Sequence, residues 1–574
     1  MFKAEAEISC RDASAEHKPL AACRCAVAPA AQPTRGYPSA GRRSLLRSGS
    51  ALSLLTLVSR VLGLVREMTK AALLGTSALS DAFSVAFLIP NLFRRLFAEG
   101  SISAAFIPTF TGCLLENDAQ KTREFLSCFF TLLSFVVSAA VALGILAAPV
   151  IVPIFGRSEF DETVFLTRMM FPFLAFISIA ALFQGILNSV HIFAPSGFAP
   201  VILNVVTIAC AWLLHPYTKN PARAIALGIL IGGFLEAAVQ APFVFKRGFR
   251  FSFTRLKTAL GNPETRAVLR LIAPTIIGMA AYQLNDIVST ALARRAGTGI
   301  VSSLQYSLRL QELMLGVFAV SIGTVLLPGL SAYAKGAKWD EYNKSLSHAL
   351  DIIALITVPV TFFSLAEGEA VVRLLFQSLS FNDESVRLTL DAFRFHIAGL
   401  YFIALNRIIA PAFYAQNDAA SPTIAGVFSF AVNIALAAVL SGPMKGGGIA
   451  LAMSLSALAN TAALLVLFNK KKHNDIKRIL TAALLYLAKI TAFSAAAALP
   501  VLLFNKHLFG FFQAINGTNR FIAYALPAFI ALLLFGGSGL LLLIITKDKN
   551  IKALAEMLKR GMRGRHGLKL THDE

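Results

Sequence analysis

Charged residues are scarce in this chain. They make up 15% of its 574 residues, whereas 56% of the residues are hydrophobic. A soluble protein of this length would divide into several domains with polar surfaces, and the composition does not provide them. Apolar runs recur instead from residue 51 to residue 546. Since a membrane-spanning helix needs about 20 mostly apolar residues, the sequence predicts an all-α integral membrane protein with about fourteen transmembrane helices.

The signatures of common catalytic sites are also missing. The chain has no G-x-x-x-x-G-K-[ST] phosphate loop, no H-E-x-x-H and no G-x-S-x-G. Its 9 histidines are scattered, and its 6 cysteines include no C-x-x-C pair, so we expect neither a metal site nor a cofactor. The sequence therefore favours a transporter over an enzyme. Transport would draw on an ion gradient, the membrane potential or the substrate gradient.

The charges that are present are mostly basic, and the formal net charge is +22. A basic chain can bind nucleic acid, but here the lysines and arginines concentrate in separate segments, namely 1–50, 246–270, 470–478 and 547–569. The loops 156–162, 215–223 and 441–448 are poor in them. This alternation is the pattern of the positive-inside rule. It predicts that both termini are cytoplasmic and that nucleic acid is not a partner.

An internal repeat with an offset of about 220 residues indicates two lobes. Ser101 and Pro108 in "GSISAAFIPTF" correspond to Ser321 and Pro328 in "VSIGTVLLPGL". Each copy would hold six spans, so the copies share an orientation and can enclose a cavity between them. The predicted organisation is a disordered cytoplasmic extension (1–50), an N-lobe (51–250), a C-lobe (251–470), two further helices (471–546) and a basic cytoplasmic tail (547–574).

Ionisable residues in the early spans of both lobes are the candidates for function. Charged groups at membrane depth are costly, and they usually face a bundle interior or a wet cavity. Arg60 and Arg66 lie in the first span and Arg309 lies early in the C-lobe. Arginine suits phosphate because its planar guanidinium donates two parallel hydrogen bonds and stays charged when desolvated. We expect the three to face one cavity for an anionic substrate, although each could instead pair structurally or reach the interface.

The end of the second span carries a further charged group, Arg94, Arg95 and Glu99. Glu99 lies one helical turn beyond Arg95, where an ion pair can form. The predicted position of these residues near a cytoplasmic helix end favours a structural role for them.

The segment 59–110 resembles the MurJ (MviN) family of lipid II flippases. It reads "SRVLGLVREMTKAALLG" and continues to "SDAFSVAFLIPNLFRRLFAEGSISAAFIPTF", and the resemblance extends over about 50–546. The resemblance implies fourteen helices in two six-helix lobes and a groove for a lipid tail beside the last two helices. It also implies that the substrate-binding cavity arginines are Arg60, Arg66, Arg94 and Arg309. As supporting or gating residues we predict Ser59, Glu67, Asp81, Arg95 and Glu99.

Some members of the family carry a sodium site, and its positions fall on Ser289, Asn433 and Ala437 in this chain. Two of these would need to be acids, so the resemblance does not extend to sodium coupling, although Asp286 lies nearby in sequence.

The resemblance implies a flippase that moves lipid II, an undecaprenyl-pyrophosphate-linked sugar peptide, from the inner to the outer leaflet of the bacterial cytoplasmic membrane by alternating access. Its partners would be lipid II, membrane lipids and proteins of cell-wall synthesis or division. The alternatives are an exporter of another lipid-linked oligosaccharide or of drugs, an integral-membrane glycosyltransferase, and a membrane scaffold. A cationic drug would require an acidic cavity, a transferase would require acidic metal motifs, and a scaffold would not need charges at depth.

Overall fold

The computed structural model describes residues 42–95, 105–471, 475–516 and 519–552, leaving aside the side chains of 42–54, 273–282 and 316–325. The chain divides into a short unit, Met1–Gly49, and a large unit, Ser50–Glu574. The predicted N-terminal extension up to residue 41 and most of the predicted basic tail, from residue 553, lie outside the described residues.

All regular secondary structure in the described residues is helical. The helices are α1 (Arg42–Leu74), α2 (Ala78–Arg94), α3 (Ile107–Leu115), α4 (Ala119–Ile151), α5 (Phe160–Met170), α6 (Phe173–Ser189), α7 (Ala194–Leu214), α8 (Pro221–Lys246), α9 (Leu256–Gly261), α10 (Pro263–Ala296), α11 (Ile300–Lys335), α12 (Trp339–Phe376), α13 (Asp383–Ala398), α14 (Leu400–Ala415), α15 (Ala420–Asn469), α16 (Ile476–Asn516) and α17 (Leu526–Ile545). The all-α prediction is confirmed.

Among the spans that the sequence predicts are 51–75, 386–415, 421–440 and 447–468, which can be compared with α1, α13, α14 and α15. Helix α1 begins at Arg42, earlier than the predicted start at residue 51. Helices α13 and α14 form one predicted span that is bent by 42°. Helix α15 contains two predicted spans, which meet at Lys445, where the backbone leaves the helical region (φ 47°, ψ −125°).

Within the described residues, 8 helices are long and apolar enough to cross a membrane, or up to 9 if the bent pair is counted as one span. The more polar predicted spans do not meet this criterion of length and apolar composition. The count of about fourteen spans is consistent with the helices and stays a prediction.

Short polar side chains begin several helices. The hydroxyl of Ser77 accepts a hydrogen bond from a backbone N–H in the first turn of α2. Asp118, Asn220, Asn262 and Asn382 do the same for α4, α8, α10 and α13. Each cap satisfies an N–H group that has no partner within its own helix. The polar residues between the apolar runs therefore set where these helices start.

Close packing of α7 on α8 depends on glycine. A Cβ atom at Gly228 would lie 2.9 Å from Thr207 Cα, and one at Gly232 would lie 2.8 Å from a methyl carbon of Leu203. Glycines spaced four residues apart on one face let two helix backbones approach closely, as is common in membranes. A larger residue at either position would force the helices apart.

One apolar cluster joins the predicted N-lobe to the predicted C-lobe. Val85 and Ile89 of α2 and Phe171 pack with Ile300 and Val301 of α11. Outside the bundle, large apolar side chains are exposed on α4 and α16, including Val150 at 75% and Leu503 at 73%. Such an apolar exterior suits contact with lipid chains rather than water.

Candidate functional site

A cavity of about 240 Å³ lies between the two predicted lobes, with walls from α1, α2, α8, α10, α11 and α15. Apolar and aromatic side chains form much of its surface, and the charged groups come from α1, α2, α10 and α11. The cationic lining residues are Arg66, Lys70, Arg95 and Arg309, and the acidic ones are Glu67, Asp286 and Glu312. Charges from both halves of the chain therefore face one space.

The carboxylate of Glu67 is the centre of the charged cluster. It lies 3.0 Å from Arg66 Nη2 and 3.5 Å from Lys70 Nζ, both on α1. It also lies 3.8 Å from Arg309 Nη2 on α11. Arg309 in turn forms a 2.9 Å ion pair with Glu312, one turn along its own helix. Glu67 thus holds cations from both lobes together.

Lys70 is a cavity residue that the sequence analysis did not identify. Its ammonium donates to Gln305 Oε1 at 2.9 Å and to Ser84 Oγ at 3.4 Å, and it lies 4.7 Å from the centre of the Tyr306 ring. Lys70 is only 5% exposed, so its charge is largely desolvated. The sequence does contain a signal for Lys70: it lies three residues after Glu67, and residues three or four apart share a helix face.

Arg66 is held by a second contact on the N-lobe side. Its Nη1 donates to Asn204 Oδ1 at 3.0 Å, and the amide of Asn204 donates to the backbone oxygen of Ser59 at 3.2 Å. Ser59 therefore contributes its carbonyl to this arrangement. Arg60 lies earlier on α1, is exposed, and is not among the residues that line the cavity. Of the three expected phosphate-binding arginines, the structure brings Arg66 and Arg309 together.

The arginines at the end of α2 differ in their surroundings. Arg95 lines the cavity and forms a 3.0 Å ion pair with Asp286 of α10. Arg94 donates from Nε to Asn91 Oδ1 at 2.8 Å, and Asn91 rather than Arg94 lines the cavity. Glu99 lies outside the described residues.

Asp81 does not line the cavity, and instead joins α2 to the start of α11. Its Oδ2 accepts from Gly299 N at 2.6 Å, and its Oδ1 accepts from Ser302 N and Ser302 Oγ, each at 2.8 Å. Gly299 has φ +80°, and a Cβ atom there would lie 2.4 Å from Thr76 O, so the close approach requires glycine. Asp81 thereby caps α11 and ties the two lobes together at one end of the cavity.

A second contact between the lobes lies near Asp81. The guanidinium of Arg294, at the end of α10, donates from Nη2 to the backbone oxygen of Ser158 and, at 3.4 Å, to Thr163 Oγ1. Arg294 is 9% exposed. Together with Asp81 it closes the end of the cavity near residues 75–81, 156–163 and 294–302.

The positions of the family's sodium site lie close together on α10 and α15. Asn433 Nδ2 donates to Asn285 Oδ1 at 2.6 Å and lies 3.4 Å from Ser289 Oγ. Ala437, one turn further along α15, is fully buried. In the parts of the chain that the structure describes, no group of three or more His, Cys, Asp or Glu residues could hold a metal ion.

The helical bundle and the charged cavity between its halves define a polytopic membrane transporter. Its fold is similar to that of an inward-facing multidrug resistance MATE family transporter of the MOP superfamily, with a TM-score of 0.62 and 15% identity over 75% of this chain and 99% of the other. It is also similar to a solved structure described as lipid II flippase MurJ, inward closed conformation. That structure has a TM-score of 0.71 and 24% identity, covering 87% of this chain and 99% of the other.

Sequence comparison identifies the family. The family model described as lipid II flippase MurJ matches residues 70–518. A protein of Treponema pallidum (strain Nichols), named probable lipid II flippase MurJ, is 44% identical over 514 residues, which is 88% of this chain and 97% of that relative. The chain belongs to the MurJ family of lipid II flippases, and the resemblance predicted from its sequence is confirmed.

Proposed function

We propose that this protein is a flippase that moves lipid II from the inner to the outer leaflet of the bacterial cytoplasmic membrane for cell-wall synthesis. The observation that carries the proposal is the convergence of Arg66 and Arg309 on Glu67, because it places arginines from both lobes around one cavity. Membership of the MurJ family supports lipid II as the substrate.

In this proposal the cavity arginines bind the pyrophosphate of the substrate. Arg66 and Arg309 exchange the Glu67 carboxylate for phosphate oxygens, which accept paired hydrogen bonds from a guanidinium. Lys70 adds a desolvated positive charge beside them. Arg60 lies on the exposed part of α1 before Arg66, where it would meet the headgroup as it enters.

Alternating access requires that one end of the cavity opens as the other closes. The contacts of Asp81 with Gly299 and Ser302, and of Arg294 with Ser158, are the proposed gate at one end. Breaking them would let the lobes separate there. New contacts between the cavity cations and the substrate would offset the free-energy cost of breaking these hydrogen bonds.

The direction of transport follows from the proposed topology, with both termini in the cytoplasm. The gate at residues 75–81 and 294–302 would then face the outside, and the start of α1 would face the cytoplasm. The polyprenyl chain would remain in lipid beside α16 and α17, where apolar side chains such as Leu503 and Leu533 are exposed. Proteins of cell-wall synthesis or division are proposed partners.

The direct test is depletion of this protein in its host, followed by an assay of which membrane face holds the lipid-linked precursor. We expect lipid II to accumulate in the inner leaflet, and re-expression of the wild-type chain to restore its outward movement. Re-expression of the Arg309→Ala variant at equal abundance should not restore it. If lipid II still reached the outer leaflet at the normal rate after depletion, the proposal would be wrong.

A further inference from the structure

A second cavity, of about 310 Å³, lies where α12 and α16 begin and the chain leaves α17. It shares no lining residue with the cavity between the lobes. Its ionisable lining residues are Asp340, Lys344, His348 and Asp351 of α12, Asp475 just before α16, Arg478 of α16, and Lys549. Because three membrane helices end here, the cavity lies at the level where lipid headgroups meet the protein.

The base of this cavity contains a buried carboxylate with unused hydrogen-bonding capacity. Asp351 is 1% exposed, and its Oδ2 forms a 2.6 Å ion pair with Lys549 Nζ. Its Oδ1 accepts no hydrogen bond from any residue that the structure describes. A buried carboxylate oxygen without a donor is unfavourable. A ligand with a hydrogen-bond donor would therefore find an available acceptor at Asp351 Oδ1.

The segment that carries Lys549 is held firmly against α16. Asp548 is 2% exposed and accepts hydrogen bonds from Lys489 Nζ at 2.6 Å and from Tyr486 OH at 3.2 Å. Burial raises the pKa of Asp548, but the Lys489 ammonium and the N–H of Asn550 outweigh it and hold that pKa below its ordinary value. This side of the cavity is therefore formed before any ligand binds.

The rim of the cavity carries both signs of charge, because the acids Asp340 and Asp475 are exposed there beside the cations. Lys344, His348 and Arg478 are exposed around its mouth. Among the described residues, no carboxylate lies within ion-pair distance of the side chains of Lys344 or Arg478. A negative group between Lys344 and Arg478 and a positive hydrogen-bond donor at Asp351 would thus meet complementary charges.

We propose that this cavity binds the headgroup of a phospholipid that carries a primary amine beside its phosphate, as phosphatidylethanolamine does. The ammonium donates to Asp351 Oδ1, and the phosphate lies between Lys344 and Arg478. A choline headgroup has no N–H to donate, and a glycerol headgroup brings no positive charge to the carboxylate. The bound lipid would hold α12, α16 and the segment after α17 together, separately from the transport cavity.

The test is lipid retention by the full-length protein in native mass spectrometry. The probes are phosphatidylethanolamine, phosphatidylcholine and phosphatidylglycerol with matched acyl chains. We expect the protein to retain phosphatidylethanolamine at least about tenfold more tightly than either other lipid, and Asp351→Asn to remove this preference. Glu341→Gln, an exposed acid on the same helix that does not line the cavity, should retain the preference.

A second variant tests the proposal if the Asp351→Asn protein does not insert into the membrane. Lys344→Gln combined with Arg478→Gln changes exposed side chains at the rim and should weaken phosphatidylethanolamine retention, whereas Lys477→Gln should not. Equal retention of the three lipids by the wild-type protein overturns the proposal. So does equally tight binding of soluble phosphoethanolamine, which would assign the site to a soluble ligand. The readout is binding, so it is independent of lipid II transport.

Discussion

Asp81 of α2 and Ser302 of α11 are separated by 221 positions in sequence, yet the carboxylate of one accepts hydrogen bonds from both the backbone N–H and the hydroxyl of the other. This contact links the first and second halves of the chain at one end of the central cavity. Asp81 is 3% exposed, so the link is made in a desolvated setting where hydrogen bonds to a charged group are strong. It fixes the start of α11 against α2 at this end of the cavity.

We therefore expect Asp81→Asn to weaken the closed end of the cavity and to abolish flipping while the protein still inserts. The amide keeps the shape but loses the charge and one acceptor oxygen for the N–H groups of Gly299 and Ser302. Ser302→Ala removes one of the three hydrogen bonds and should cost about 1.5–3 kcal/mol at most. The measurement is lipid II flipping at matched membrane abundance, with cysteine accessibility near residue 302 as the readout of opening. Normal flipping by Asp81→Asn would exclude a gating role.

Arg60, Arg66 and Arg309 should be required as arginines and not merely as cations. Alanine at Arg60, Arg66 or Arg309 is expected to abolish complementation of a depletion strain, because each loss of a charge-assisted contact to phosphate costs roughly 1.5–3 kcal/mol. Lysine keeps the charge but loses the planar fork and should rescue only in part. Arg387→Ala is the control, since Arg387 is 60% exposed and pairs with Glu384 on the surface.

The measurement for the arginine variants is growth at an abundance verified by immunoblot. If two of the three alanine variants grew normally at normal abundance, the cavity arginines would be structural. Because Arg60 does not line the cavity in this conformation, normal growth of Arg60→Ala alone would restrict the binding site to Arg66 and Arg309.

Glu67 should contribute more to stability than Lys70 does. Glu67→Gln leaves Arg66, Lys70 and Arg309 facing one another without the carboxylate between them. Removing one partner of a fully buried ion pair costs about 3–5 kcal/mol, and the cost here should be smaller because Glu67 is 14% and Arg309 39% exposed. Lys70→Gln leaves Glu67 with two arginines and should cost less. Unfolding temperatures of the purified variants in detergent test this order. The double variant should be less destabilised than the sum of the single variants, and simple additivity would contradict the coupling.

Sodium should not be the obligatory driver of transport. Ser289 and Ala437 provide no carboxylate at the positions expected for the sodium site of some members, and the Asn433 amide donates a hydrogen bond to Asn285. Hard cations bind through several oxygen ligands, usually with carboxylate charge. Flipping should therefore persist when sodium is replaced by potassium at a fixed membrane potential. If activity disappears and returns with sodium, Asp286→Asn becomes the variant to examine.

Both termini should lie in the cytoplasm, because the basic segments alternate with loops poor in lysine and arginine. Reporter fusions after residue 569 and within 470–478 are expected to show a cytoplasmic location, and a fusion within 505–519 an outside location. The fusions test the two sides of the last two helices. The opposite pattern would place the proposed gate, at residues 75–81 and 294–302, on the cytoplasmic side.

The sequence by itself determined the membrane class, the helical segments and the family, and it indicated Arg66 and Glu67 as neighbours. These features depend on local patterns: apolar runs of sufficient length and a charged motif within one helix. Contacts within a helix follow from residue spacing, so they can be anticipated without knowing how helices pack.

The tertiary structure alone decided which charges meet across the lobes. It brought Lys70 to Gln305, 235 positions away, and Asp81 to the start of α11, and it left Arg60 outside the cavity. It also revealed the second cavity around Asp351. Such contacts depend on the packing of distant helices, because residues far apart in sequence have no fixed spacing until the bundle forms.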